Sequence, residues 1–230
     1  IWKRILDSRL SPRQGYVYSD CDFIFLGKIV EQITGRKLND YVRDTFYKPL
    51  GLATTGFLPR KHFPLSAIVP TEHEHIFRMQ QLRGDVHDPG SAMFGGVAGH
   101  AGLFSNAHDV AVIMQMLLNK GSFNGVQYIK PETVALFTAY NSNISRRGLG
   151  FDKPEREKVS RYEEYPAKSA SAATFGHTGY TGTCVWADPV ANIVFIFLSN
   201  RVYPDGGTNT KITALHTRER MFEAVYDAMR

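Results

Sequence analysis

Between Ala173 and Asn200 the chain reads ATFGHTGYTGTCVWADPVANIVFIFLSN, and this stretch limits the possible folds more than any other. Its two apolar runs, Thr183 to Ala187 and Ile193 to Leu198, are rich in β-branched and aromatic residues. They flank Asp188-Pro189, which is the pattern of two strands joined in a hairpin. The second run is apolar at every position, as expected of a strand covered on both faces and paired on both sides. Ahead of both lies Gly176-His177-Thr178-Gly179, where glycines on either side of a His-Thr pair let another backbone, or a substrate acting as one, approach the strand. The stretch therefore predicts a binding edge.

The rest of the composition removes several function classes. The sequence has 27 Lys and Arg against 22 Asp and Glu, for a net charge of +5, but the basic residues are scattered. No basic stripe interleaved with aromatics appears, so no nucleic-acid partner is expected. No run approaches the roughly 20 apolar residues of a membrane span, and no secretion signal opens the chain. The first residue is Ile1, which reads as a processed or excised piece. The two cysteines, Cys21 and Cys184, are too few for a disulfide framework and lack metal-site spacing, so both are expected as buried free thiols.

Taken in order, Ile1 to Gly15 gives a short helix and a connector, and Tyr16 to Asp20 leads into a helix with Asp20 and Asp22 at its N-terminus. Phe23, Leu26, Val30 and Ile33 predict its buried face, and Gly35 its end. A second helix covers Leu38 to Tyr47. From Ala53 to Gly102 periodicity fades, and this irregular segment is expected to wrap over a site. Ser105 is read as the N-cap of a helix with Val110, Ile113, Met114, Leu117 and Leu118 inward, and Pro131 starts another. Gly148 to Phe151 suggests a short strand, and Asp152 to Ala172 a polar loop. Asn209 to Arg230 predicts one amphipathic closing helix through Ile212, Leu215, Phe222, Tyr226 and Met229. Helices, then a hairpin-rich sheet, then a helix indicate an α+β domain over residues 1–230.

Three motifs in this order carry a resemblance: Tyr18-Ser19-Asp20 opening a helix, Ala98-Gly99-His100-Ala101-Gly102-Leu103-Phe104-Ser105 opening another, and His177-Thr178-Gly179 on a strand. Together they resemble the serine β-lactamase, penicillin-binding protein and esterase superfamily (class C-like), in its C-terminal part. Val86-His87-Asp88-Pro89 and the Gly95 to Gly102 stretch are similar to an envelope subgroup often fused behind a family 3 glycoside hydrolase, a β-N-acetylglucosaminidase. The resemblance implies a β-lactamase/transpeptidase-like fold, with antiparallel sheet packed against helices, and acyl transfer through a serine ester. It implies a periplasmic or cell-envelope location and an ester, amide or cell-wall peptide as substrate, with no cofactor or metal. The family's nucleophile lies in S-x-x-K, and no serine here has lysine three residues later, so the helix that carries it is expected upstream.

By the same resemblance Tyr18 matches the family tyrosine, a proton carrier that needs adjacent positive charge because a phenol titrates near pH ~10. Asp20 stands where the family has Asn, and an ionised carboxylate only accepts hydrogen bonds. His177 and Thr178 match the substrate-facing strand motif, and the Tyr180 N–H matches the oxyanion donor. Gly179, His87 and His100 are the expected substrate-binding residues. Histidine in place of the family's lysine suggests less reliance on a fixed charge for a substrate carboxylate. Tyr18 and His177 are expected to border one cleft. Two other readings accompany this one: a non-catalytic module holding cell-wall fragments for a fused glycosidase, and a metal site drawn from His73, His75, His87 and His100, for which the spacing matches no metal motif. The apolar Ile193 to Leu198 edge is expected to be covered by an upstream segment or by a second copy of the chain.

Overall fold

In a computed structural model, residues 1–156 and 165–230 are described. The chain forms two compact units, residues 1–105 with 203–206 and residues 106–202 with 207–230. Part of the loop expected from Asp152 to Ala172 lies outside the described residues. Among those described, no helix is long and apolar enough to cross a membrane.

The first unit begins with α1 (Trp2–Leu6), α2 (Cys21–Thr34) and α3 (Leu38–Val42), the last running into a π turn over Arg43–Tyr47. α2 starts directly after Asp20 and stops at Gly35, as the sequence indicates. Its buried side is different from the predicted one: Ile24 and Gly27 are inside, whereas Phe23, Leu26 and Ile33 are exposed. The reason is a close backbone approach. A Cβ on Gly27 would lie 3.1 Å from the Gly99 nitrogen, and one on Gly99 would lie 2.1 Å from the Phe23 carbonyl oxygen, so only this glycine pair lets the loop rest on the helix. Cys21 is exposed at the start of α2, in contrast to the buried thiol expected.

The segment from 53 to 102 has more order than its composition suggests. It contains β1 (Gly56–Phe57), β2 (Pro70–Glu74), β3 (Gln80–Arg83) and α4 (Pro89–Met93), followed by β4 (Leu103–Phe104), which pairs with β1. β2 and β3 form an antiparallel hairpin with a register shift between Pro70 and Glu72. The Glu74 carboxylate closes its tip by accepting from the amides of Ile76 (2.6 Å), Phe77 (2.7 Å), Arg78 and Met79 (3.3 Å).

The second unit opens with α5 (Ala107–Leu118), a small hairpin of β5 (Ser122–Phe123) and β6 (Val126–Gln127), and α6 (Pro131–Thr138). Asn106, one residue past the predicted Ser105, caps α5 by accepting from the Asp109 amide at 2.8 Å. The Ser105 hydroxyl lies instead 2.7 Å from the Thr55 hydroxyl. The predicted strand from Gly148 to Phe151 does not form; the next residue, Asp152, makes a single bridge with Gly176.

The sheet of β7 (Phe175–Thr178), β8 (Cys184–Asp188) and β9 (Ile193–Phe197) is antiparallel in the order β7-β8-β9. Alternation along the strands gives it two apolar faces. Cys184, Trp186, Ile193 and Phe195 pack with Phe222 and Tyr226, while Phe175, Val185, Ala187 and Val194 pack with Met114 and its neighbours on α5. Burial pushes the Cys184 thiol up to about 12, which suits an inert core residue. The closing helix is two helices, α7 (Lys211–Ala214) and α8 (Thr217–Asp227), separated at His216, whose φ of 47° cannot continue a right-handed helix. Phe222 and Tyr226 are buried as predicted, but Leu215 and Met229 are exposed.

Candidate active site

The His-Thr-Gly strand is positioned by its neighbour β8. A Cβ on Gly176 would fall 2.0 Å from the Val185 carbonyl oxygen, and one on Gly179 would fall 2.2 Å from the Thr183 hydroxyl. The glycines on both sides of His177-Thr178 thus accommodate the chain's own hairpin. That leaves His177 and Thr178 half-buried at the end of β7.

Arg147 decides the state of His177. Its Nη1 lies 2.7 Å from His177 Nε2, and His177 Nδ1 lies 2.6 Å from the Thr178 carbonyl oxygen. A guanidinium can only donate, so Nε2 accepts and the single ring proton sits on Nδ1, which donates to Thr178. The imidazole is held neutral. Burial pushes it below the usual histidine range, and the Arg147 charge lowers it further.

Behind this pair stands a buried network. Asp152, 1 % exposed, accepts from Arg146 Nε at 2.7 Å, Arg146 Nη2 at 3.0 Å and the Tyr165 hydroxyl at 2.8 Å. Burial alone would raise the Asp152 carboxyl, but the Arg146 hydrogen bonds and the charges of Arg146 and Arg147 outweigh it and hold it below the usual range. Arg146 lies over the Tyr165 ring at 4.4 Å. Beside the neutral His177 stands the Arg147 guanidinium, whose Nε also lies 3.4 Å from Asp152 Oδ1. Arg147 stands thirty positions before His177 and in no motif with it, so only the fold reveals the pair.

Tyr180 is 65 % exposed; its carbonyl oxygen accepts from Arg201 Nε at 2.7 Å and its ring lies 4.3 Å from the same guanidinium. Gly179 N donates to the Thr183 carbonyl at 2.8 Å, closing the turn that sets the Tyr180 backbone.

In the first unit Tyr18 is 60 % exposed on the turn leading into α2, and Asp20 follows it, exposed. Ser19 supports the turn by accepting from the Cys21 amide at 3.2 Å. The His100 imidazole is 4 % exposed, and its Nε2 lies 2.8 Å from Asp88 Oδ1, an engagement with Asp88 in place of an open face for substrate. His87 Nε2 lies 3.5 Å from Glu72, and the rings of His73 and His75 stack at 4.4 Å. These histidines do not gather into one cluster. Among the described residues the group able to share a metal ion is Asp20, Asp88 and His100.

The Beta-lactamase family profile matches residues 1–218. The chain belongs to the Beta-lactamase family. This β-lactamase-family chain is 40% identical over 202 residues to a protein of Escherichia coli (strain K12) named "Putative D-alanyl-D-alanine carboxypeptidase", a match covering 83% of the chain and 46% of that relative. A Salmonella gallinarum protein of the same name is 40% identical over 204 residues, with the same coverage. The chain thus spans about half the length of the curated relatives it matches. Among solved structures it is similar to a penicillin-binding protein homolog from Caulobacter crescentus, with a TM-score of 0.56 at 20% identity over 87% of this chain and 55% of that one. A β-lactamase from Mycobacterium bovis gives a TM-score of 0.55 at 20% identity over 87% and 64%. The fold is β-lactamase/transpeptidase-like, with mixed helix and sheet.

Proposed function

We propose that the chain is one part of a serine acyl-transfer enzyme of the bacterial envelope, a penicillin-binding, carboxypeptidase-type hydrolase acting on cell-wall peptide in the periplasm. Its serine nucleophile lies outside these 230 residues, which contain no S-x-x-K. The serine Oγ attacks the scissile carbonyl, the amine leaves with a proton, and water hydrolyses the resulting ester. Tyr18 carries the nucleophile's proton, Asp20 accepts from the substrate, Thr178 faces it, and the Tyr180 N–H stabilises the oxyanion. The class C-like subgroup and fusion to a family 3 glycosidase belong to the same reading, supported by the Val86 to Pro89 and Gly95 to Gly102 motifs.

The observation that carries it is the Arg147–His177 contact at 2.7 Å. Arginine stays charged at any working pH, and a planar fork matches a carboxylate. A peptide ending in D-alanine presents such a carboxylate, and the curated relatives bear that name. A hydrogen bond to a charged group contributes about 1.5–3 kcal/mol, roughly 10- to 150-fold.

The test uses the whole protein and a diacylated peptide ending in D-alanyl-D-alanine, compared with the same peptide amidated at its C-terminus. The free acid should be preferred by at least ~10-fold in kcat/KM, with the preference lost in Arg147→Gln and partly kept in Arg147→Lys. Equal rates on acid and amide would overturn the reading. A protein that binds the peptide yet forms no covalent adduct with penicillin would favour the binding module instead. The 230-residue chain alone should show no such adduct by intact mass.

The same reading extends to β9, which pairs only with β8 among the described residues. An apolar groove of about 350 Å³ lies along it between Val194, Ile196 and Ala107, Ala111 of α5. We propose that an upstream segment or a second copy of the chain covers this edge, since open apolar strands invite aggregation.

A further inference from the structure

We propose that Asp20, Asp88 and His100 form a binding site for a divalent transition-metal ion of the zinc type, a site that shares Asp20 with the serine chemistry above. The three side chains come from the turn before α2, the residue capping α4 and the glycine-rich loop before β4. Each offers a ligand atom, and these atoms lie within 4.8 Å of one another.

The loop positions are fixed independently of any ion. Gly99 rests against Phe23 and Gly27, as described above, which brings His100 over the start of α2. Asp88 is anchored by accepting from the Ser91 amide at 2.6 Å, and the Ser91 hydroxyl donates to the Ala101 carbonyl at 2.9 Å, tying α4 to the same loop. Space is left beside the pair because residue 90 is glycine: a Cβ there would lie 3.0 Å from Asp88 Oδ1 and 3.6 Å from His100 Nε2.

Two features ask for a cation. Asp20 and Asp88 are like charges at short range, and among the described residues neither is paired with Lys or Arg. The His100 side chain is 4 % exposed, and its Nε2 is directed at this carboxylate group. An ion between the three cancels the repulsion and engages the imidazole. The donor set selects the metal: one imidazole nitrogen with two carboxylates suits zinc or a similar ion better than calcium or magnesium, which favour oxygen alone. Bonds to such ligands are about 2.0–2.2 Å. Asp88 Oδ1 and His100 Nε2, 2.8 Å apart, already suit one ion, and exposed Asp20 has room to close on it. The bound ion would clamp the Tyr18-Ser19-Asp20 turn to α4.

The experiment is calorimetric titration of ZnCl2 into the metal-stripped protein, with thermal unfolding followed in parallel. The expected result is one equivalent bound, at least ~10-fold weaker in Asp20→Ala, and a Zn²⁺-dependent rise in Tm that this variant loses. Asp20 is exposed, so the variant should fold; His100→Gln serves as a second loss-of-binding variant where folding is confirmed. Absence of binding at 1 mM ZnCl2, about equal affinity in Asp20→Ala, or loss of binding in His73→Gln or His75→Gln instead would overturn the site. None of these readouts depends on acyl transfer, so the site and the hydrolase reading fail separately.

Discussion

Lys153 is 2 % exposed, and its Nζ donates to the Thr174 carbonyl at 2.9 Å while lying 4.6 Å from the centre of the Tyr140 ring. Burial pushes its pKa down from 10.5 to about 8, against the favourable charge of Asp188. The sign follows from proton counting. Between about pH 8 and pH 10.5 the unfolded chain holds a proton on this lysine that the folded chain has released. Stability from this group therefore rises with pH across that window and is lowest below it. Urea denaturation from pH 7 to 10.5 should show the wild type gaining stability relative to Lys153→Met, whose curve lacks this contribution; parallel curves would contradict it. The same burial explains why residues such as Lys153 and Arg147 escaped the sequence. Charged residues read as surface or loop in a sequence, and nothing in Ser145-Arg146-Arg147-Gly148 signals that one arginine turns inward to Asp152 and the next to His177.

Individual elements were legible where local chemistry alone decides them. α2 beginning after Asp20, Pro131 at the first position of α6, and the hairpin around Asp188-Pro189 follow from acidic residues at a helix N-terminus, fixed φ and β-branched composition, and all three stand in the structure, although the Asp20 side chain makes no cap hydrogen bond. Elements decided by distant contacts were not. β2 and β3 are rich in charge and histidine, and their pairing depends on Glu74 gathering the amides of the tip. The face of α2 is chosen by Gly99, seventy-odd positions away. The start of α5 shows how fine the margin is, since Ser105 and Asn106 are both good caps. The Asn106 side chain makes the bond, so Asn106→Ala should cost about 1 kcal/mol, read as a lower urea midpoint with an unchanged m-value. Ser105→Ala should leave α5 capped and lose only the hydroxyl contact with Thr55. Equal losses in helical signal from the two variants would show that both residues share the cap.

At the scale of the whole molecule, the three motifs that placed the chain in its family are divided between its two units, with Tyr18, Asp20 and His100 in one and His177, Thr178 and Tyr180 in the other. Each unit supports its own share of the motifs: the glycine contacts of residues 27 and 99 in the first, the three-stranded sheet in the second. Within the second unit one group joins the sheet to the end of the chain. The Asp188 carboxylate, fully buried, accepts from the Ser171 amide at 3.0 Å and hydroxyl at 2.7 Å, from the Val190 amide at 2.9 Å, and from the Tyr226 hydroxyl at 2.7 Å. Synthesis runs from the N-terminus, so β8 and β9 are made before Tyr226 exists. Until α8 arrives, Trp186 and Phe195 have no cover from Phe222, and Asp188 must stay solvated. A released chain that holds the hairpin without α8 has an open apolar face, the kind of intermediate that aggregates. Chains stopped before residue 217 should be trapped there. In a cell-free translation they should sediment or bind a holdase chaperone, while the 230-residue product stays in solution. Soluble, unbound products from the shortened message would mean that the sheet is sheltered without its last helix.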